Sequence, residues 1–219
     1  MFLLINKSTG ITSHDVINQL RRITGIKKIG HAGTLDPLAR GLLIVAIGRE
    51  STKKINQFTK MDKEYIAEIK LGATSDTYDR EGKIIRKDKS QPVQLKEVEK
   101  TLSTFLGPQL QTLPLYSATK AGGKKLYQLA RANKTINSGF TNIEIKKIKI
   151  LKYKFPDLKI LVQCSSGTYI RSLAHDLGQK LGVGGYLENL KRTKIGNFDI
   201  EKAISLDKLN SQNWQEHTF

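Results

Sequence analysis

The 219-residue sequence predicts an α+β fold, a mixed central sheet flanked by helices. Three observations carry that reading. Apolar and polar residues alternate over Lys63–Leu71 and again over residues 143–153, the period of a half-buried strand. Other stretches, such as residues 169–181, space their apolar side chains as a helix does. The alternation is one-faced, which suits a mixed sheet better than a purely parallel one. No repeat period and no low-complexity linker divides the chain. The length suffices for one large domain with a proper core or for two small ones.

Taken in order, residues 2–6 read as a short apolar strand. Thr12 and Ser13 offer a cap for a helix to about Ile23, with Val16, Ile17 and Leu20 on one face. Residues 42–47 are continuously apolar, so period alone leaves strand and helix both open. Residues 95–106 read as a helix stopped by Gly107-Pro108. Residues 159–164 form a strand ending in a Ser165-Ser166-Gly167 turn, and the 169–181 helix ends at Gly182.

Formal net charge is +17, from 37 Lys+Arg against 20 Asp+Glu. Such an excess points to a polyanionic partner. No apolar run reaches the roughly 18 residues that a membrane span needs, and the N-terminal Met1-Phe2-Leu3-Leu4-Ile5 lacks the basic flank of a signal peptide. One cysteine, Cys164, excludes an internal disulfide framework. The expected location is cytoplasmic and the expected state a monomer. His14, His31, His175 and His217 form no metal-ligand pattern with that cysteine. No metal, cofactor or protein partner is expected. His14 and His175, each followed by Asp, are expected on helix surfaces.

The densest stretch is Gly30-His31-Ala32-Gly33-Thr34-Leu35-Asp36-Pro37-Leu38-Ala39-Arg40-Gly41. One carboxylate, Asp36, sits between apolar Leu35 and Pro37, and glycines at 30, 33 and 41 permit tight turns and close approach. The stretch presents an acid in semi-apolar surroundings. Asp36-Pro37 also fits a helix start, with Asp as N-cap and Pro at N1. Residues 116–131 hold Lys120, Lys124, Lys125 and Arg131 beside Tyr116 and Tyr127. Cations neutralise phosphates and tyrosines stack on bases; a solvated helix face fits the same composition. In Cys164–Arg171, a strand end, a small-residue turn and a helix start bring Tyr169 and Arg171 to one sheet edge. An Arg there can hold a carboxylate through two hydrogen bonds.

These motifs together resemble the TruB family of tRNA pseudouridine synthases. The resemblance runs in order through the Asp36 loop, Asp62-Lys63-Glu64-Tyr65, Leu71–Gly82, Tyr116–Arg131, Gly167-Thr168-Tyr169-Ile170-Arg171 and Gly185–Phe198. Several motifs in the right order are strong evidence where each alone is not. Ser75 replaces a family Thr, Lys191 an Arg, Ser8 a Pro and Arg40 a Thr.

The resemblance implies the pseudouridine synthase fold with a thumb-like RNA-binding insertion over about 111–140. It implies isomerisation of uridine 55 in the tRNA T-loop after base flipping, with Asp36 as the catalytic carboxylate. Arg171 is implied as its ionic partner and Tyr65 as the residue that stacks on the base. His31, Tyr169 and Leu190 complete the pocket, while Lys7, Lys120, Lys124, Lys125 and Arg131 hold the RNA. The resemblance implies a catalytic domain over residues 1–200 followed by a short tail at 201–219, with the family's small C-terminal RNA-binding domain expected to be absent. The competing reading is a non-catalytic tRNA-binding or folding module; Asp36, Tyr65 and Arg171 together argue against it, because binding alone does not need them.

Overall fold

The computed structural model describes residues 1–87, 91–114, 116 and 139–219, and the backbone alone of 120–121 and 124–125. The chain forms two units, Met1–Ile66 with Leu190–Phe219, and Ala67–Asn189. The division falls within two strands of the expected 1–200 domain.

In the first unit, β1 (Phe2–Lys7) leads into α1 (Ser13–Thr24). Thr12 caps this helix. Its Oγ1 accepts the Asp15 N–H at 3.0 Å, while the Asp15 carboxylate accepts the Thr12 N–H at 2.8 Å. Gly25, at φ 68°, ends it in the left-handed conformation. β2 (Ile29–His31) and β3 (Ala39–Ile47) follow, then the short helices α2 (Arg49–Lys53) and α3 (Asn56–Thr59) and the start of β4 (Lys63–Leu71). The apolar run 42–47 is a strand because both its faces are covered. Leu43, Val45 and Ile47 pack with Val16, Ile17 and Leu20 of α1, whereas Leu42 and Ile44 pack with Phe58 and Ile195. Two-sided burial erases the alternation that marks a strand. Each such side chain contributes about 1.5–3 kcal/mol before conformational entropy is set against it.

The second unit takes up β4 at Ala67 and continues through β5 (Ala73–Ser75), β6 (Ile84–Arg86), α4 (Leu95–Ser103) and β7 (Gly107–Thr112). Next come the two-residue strands β8 (Lys120–Ala121) and β9 (Lys124–Lys125), which pair with each other. β10 (Phe140–Lys154) and β11 (Asp157–Cys164) form a long antiparallel pair, with β7 on the other edge of β10. α5 (Ile170–Lys180) follows the small-residue turn and packs with α4. Ile170, Leu173, Ala174 and Leu177 are its buried face. β12 (Gly185–Ile195) then carries the chain back to the first unit.

There β3 is antiparallel to β1 along one edge, from Phe2↔Ala46 to Lys7↔Gly41. Its other edge is shared. β2 pairs antiparallel with its C-terminal end, and β12 pairs parallel with its start at Leu190↔Ala39 through Arg192↔Gly41. β13 (Phe198–Asp199) turns back on β12. Residues 201–219, expected as a tail, are part of this unit's core: Leu209 and Trp214 are buried, Phe219 exchanges backbone hydrogen bonds with Phe2, and Ile204 donates to Leu4.

Gly41 is where two backbones come closest. Its φ is +109°, and a Cβ there would collide with the Arg192 carbonyl oxygen and lie 2.8 Å from the Arg192 nitrogen. Gly41→Ala is therefore expected to cost about 3 kcal/mol, from an unfavourable φ and an overpacked contact together. Urea unfolding measures it; an unchanged midpoint would mean that β3 and β12 separate freely.

Candidate active site

Asp36 stands at the end of the loop joining β2 to β3. The loop is tied at both flanks. The Ser13 hydroxyl, on the first residue of α1, accepts the Leu35 N–H at 2.9 Å and donates to the Leu35 carbonyl at 3.1 Å. The Gly10 N–H donates to the Pro37 carbonyl at 2.8 Å, and the Ala39 N–H to the Asp36 carbonyl at 3.0 Å. Leu35 and Leu38 are buried, whereas Asp36 between them is only half-buried. Asp36-Pro37-Leu38-Ala39 is thus a turn that opens a strand. The helix start that the Asp-Pro pair also fitted is not formed, because pairing with β1 and β12 holds Ala39 onward extended.

Arg192 makes this geometry possible. Where β2 leaves β3, the Ala32 N–H still reaches the Ile44 carbonyl at 2.9 Å. The next carbonyl along that edge, Leu42, loses its strand partner. The Arg192 Nε donates to it at 2.7 Å, and Nη2 donates to the Gly33 carbonyl at 3.1 Å. The guanidinium is 1% exposed. It replaces a missing strand partner and fixes the mouth of the Asp36 loop at the same time.

Three more of the expected site residues belong to this unit. His31 is the last residue of β2, opposite Val45. Its Nδ1 is buried without a hydrogen-bond partner. Burial, then the nearby Arg192 charge, then His14, push its pKa below the usual 6.5. Leu190 pairs with Ala39, three residues after Asp36. Tyr65 lies on the inward face of β4, 8% exposed; its neighbour Glu64 accepts the Thr193 hydroxyl at 2.7 Å. Lys7, expected among the RNA contacts, is fully buried, and its ammonium donates to the Ser8 and Ile11 carbonyls at 3.0 and 2.6 Å, shaping the loop after β1. Ser8, where the family has proline, is thus held from Lys7.

In the second unit Tyr169 caps α5. Its N–H donates to Gln111 Oε1 at 2.8 Å and its carbonyl accepts from Gln111 Nε2 at 3.0 Å, so one buried amide fixes the helix start. Arg171, the second residue of the helix, pairs with Asp79 at 3.5 Å, and both side chains are about 5% exposed. Its Nη2 also donates to the Tyr116 carbonyl at 2.7 Å, and its Cζ lies 5.9 Å from the Tyr169 ring centre. The carboxylate this unit supplies to Arg171 is therefore Asp79; Asp36 belongs to the other unit.

Asp79 was not singled out in the sequence, although its Ser75–Gly82 run was matched. The run is a self-bonded turn. Asp79 Oδ1 accepts the Thr77 hydroxyl at 2.7 Å and the Glu81 N–H at 3.0 Å. The Ser75 hydroxyl lies 3.2 Å from that of Thr77, so serine keeps the hydroxyl contact at this departure from the family. Tyr78 has φ +66°, the one positive value outside glycine among the described residues. For a tyrosine that costs about 1–2 kcal/mol. Its ring stacks on His175, with centroids 3.9 Å apart and planes 20° apart. His175 is thus half-buried, not the surface residue expected; His14 is exposed as expected. Of the expected RNA contacts, Lys120, Lys124 and Lys125 are on the β8–β9 pair, while Arg131 and most of 111–140 lie outside the described residues. Among the described residues no His, Cys, Asp and Glu cluster fits a metal ion, and no helix is long and apolar enough to cross a membrane.

Comparison with known proteins gives consistent matches. A family model described as the N-terminal domain of TruB family pseudouridylate synthase matches residues 21–170. One described as the C-terminal domain of tRNA pseudouridylate synthase B matches 171–218. The chain is 45% identical over 208 residues to tRNA pseudouridine synthase B of Chlamydia muridarum (strain MoPn / Nigg), covering 95% of this chain and 86% of that one. It is 43% identical over 212 residues to the protein of the same name from Clostridium tetani (strain Massachusetts / E88), covering 97% and 73%. Among solved structures, a Cbf5-Nop10-Gar1 complex matches with TM-score 0.74 and 28% identity. An H/ACA RNP bound to a substrate RNA containing 2′-deoxyuridine matches with TM-score 0.71 and 26% identity. Each match covers 98% of this chain and about half of the solved one, 55% and 54%.

The His31 environment makes a stability prediction. Its folded pKa lies below 6.5, so the unfolded chain binds the proton first as pH falls. Above pH 6.5 the two states bind protons equally at this site and its contribution is intact. It is lost as pH drops from 6.5 toward the lower folded value. His31→Gln should flatten the decline of the unfolding free energy below pH 6.5, followed by urea titration at a series of pH values. An identical acid slope in the variant would contradict the buried, unpartnered imidazole.

Proposed function

The chain belongs to the TruB family of pseudouridylate synthases, isomerases that convert uridine to pseudouridine in tRNA, and from that premise we propose that it acts on uridine 55 of the T-loop with Asp36 as the catalytic carboxylate. The observation that carries the proposal is the Asp36 loop. A half-buried carboxylate is fixed by bonds to both of its flanking residues and backed by a buried guanidinium. Such pre-organisation is what a carboxylate acting on a ribose requires.

The reaction breaks the N1–C1′ bond, turns the uracil and joins C5 to C1′. C5 loses a proton and N1 gains one, so atoms and electrons balance within the nucleotide and no co-reactant is consumed. A uridine within a folded loop must leave the stack to be reached, so base flipping is part of the reading. Asp36 acts at the ribose. In the first unit Tyr65 stacks on the flipped base, and His31 and Leu190 are also assigned to substrate binding. In the second, Tyr169 and Arg171 are assigned to the RNA substrate, the Arg171 guanidinium held by Asp79 and the Tyr116 carbonyl. The net charge of +17, with Lys120, Lys124 and Lys125 on the β8–β9 pair, supports a grip on the phosphates of the T-arm. Action on tRNA supports a cytoplasmic location.

The test is incubation of the purified protein with unmodified tRNA, followed by chemical mapping of pseudouridine. Modification at position 55 is expected. Asp36→Asn should lower turnover by about 10⁴-fold or more while tRNA binding persists, since loss of an essential base or nucleophile has effects of that size. A folded Asp36→Asn protein with substantial activity would end the catalytic assignment. Tight tRNA binding by the unaltered protein without any pseudouridine would favour a binding module instead.

A further inference from the structure

Tyr78 and Asp79 are adjacent in sequence and both engage α5. Asp79 pairs with Arg171, and Tyr78 stacks on His175 one helical turn later. Residues four apart on a helix share a face. Adjacent residues of an extended chain point to opposite sides. The turn is pinned to β12 by a single bridge at Asp79: the Leu187 N–H donates to the Tyr78 carbonyl at 2.9 Å and the Arg80 N–H to the Leu187 carbonyl at 3.0 Å. The positive φ of Tyr78 resolves the conflict, letting two consecutive side chains reach one helix face. A bulky residue persists in that conformation only where its surroundings hold it there.

We propose that the Tyr78–His175 stack is a positioning device for the Arg171–Asp79 pair. The ring contact fixes the turn against α5, and the turn in turn sets where the Asp79 carboxylate meets the guanidinium. Tyr78 and His175 are positioning residues; neither is assigned a contact with substrate. His175 Nδ1 is buried with no hydrogen-bond partner, so no bond at that atom competes with the stack in orienting the ring. Burial, followed by the Lys87 charge, lowers its pKa below 6.5, and a neutral ring suits a face-to-face contact with tyrosine. The inference rests on the reading that Arg171 serves pseudouridine formation.

The test compares Tyr78→Gly, Tyr78→Phe, His175→Ala and His175→Phe with the unaltered protein, by steady-state kinetics on tRNA and by hydrogen exchange. Glycine adopts φ +66° freely, so Tyr78→Gly removes the ring and relieves the backbone. Tyr78→Gly and His175→Ala should lower kcat by about 10- to 100-fold with KM unchanged. They should also speed exchange of the Glu81 amide, which donates to Asp79 Oδ1. Tyr78→Phe and His175→Phe keep a stacked ring and should restore both kcat and protection. If Tyr78→Gly does not fold, His175→Ala carries the comparison. Unchanged kcat in the truncated variants, or Tyr78→Phe as impaired as Tyr78→Gly, would overturn the proposal. If the unaltered protein forms no pseudouridine, the functional reading fails, and the exchange of Glu81 alone decides: protection unchanged in both truncations overturns the positioning role.

Discussion

The account turns on one buried guanidinium. Arg192 satisfies a strand carbonyl, Leu42, that lost its partner when β2 peeled away, and with its other arm it holds the Gly33 carbonyl. Leaving that strand carbonyl unpaired in the interior costs about 1–3 kcal/mol, more than the net worth of an ordinary hydrogen bond. The gap in the sheet is therefore not a defect. It lets a loop leave the sheet, carry Asp36, and return as β3 within eight residues of His31. Gly41 is the steric condition for it, because only a residue without a side chain lets β12 bring Arg192 so near.

The second unit solves a similar problem by different means. Arg171 and Asp79 are both taken out of water, which is unfavourable for each charge alone. The cost is met by the Thr77 hydroxyl and the Glu81 N–H, which both donate to Asp79, and by the Tyr116 carbonyl on Arg171. Gly82 closes that turn, since a Cβ there would collide with the side chains of Asp76 and Thr77. A charge that is expensive to bury is also hard to displace. In each unit a carboxylate, Asp36 in one and Asp79 in the other, is carried by a short irregular segment that gains rigidity from buried polar contacts.

Much of this was legible in the sequence, and the exceptions have physical causes. β4 was read with its observed bounds because a half-buried strand writes its geometry directly as alternation. α1 was read from its cap and its apolar face. Residues 42–47 stayed ambiguous because both faces of β3 are buried. β12 was not assigned, because Glu188, Lys191, Arg192 and Lys194 break its pattern, and nothing local tells which of those charges is buried. Asp36 stood out in the sequence through its glycine-rich setting, and the catalytic role expected of it came from the family resemblance. Asp79 and Arg192 did not stand out, because their roles depend on partners 92 positions away at Arg171 and 150 away at Leu42. The burial of Lys7 was not legible for the same reason: a lysine opening a loop looks solvated until the carbonyls that enclose it are known. The histidine at 175 needed Tyr78, a residue nearly a hundred positions earlier, to draw it off the surface.

The most direct test of the central claim is hydrogen exchange across residues 30–43 in Arg192→Met, compared with the unaltered protein. Methionine fills much of the space but donates to neither carbonyl. The account predicts a folded protein in which the amides of Leu35 and Ala39, protected through Ser13 and the Asp36 turn, exchange markedly faster, while those of β1 do not. Unchanged protection of Leu35 and Ala39 in a folded Arg192→Met protein would contradict it, and would place the rigidity of the Asp36 loop elsewhere.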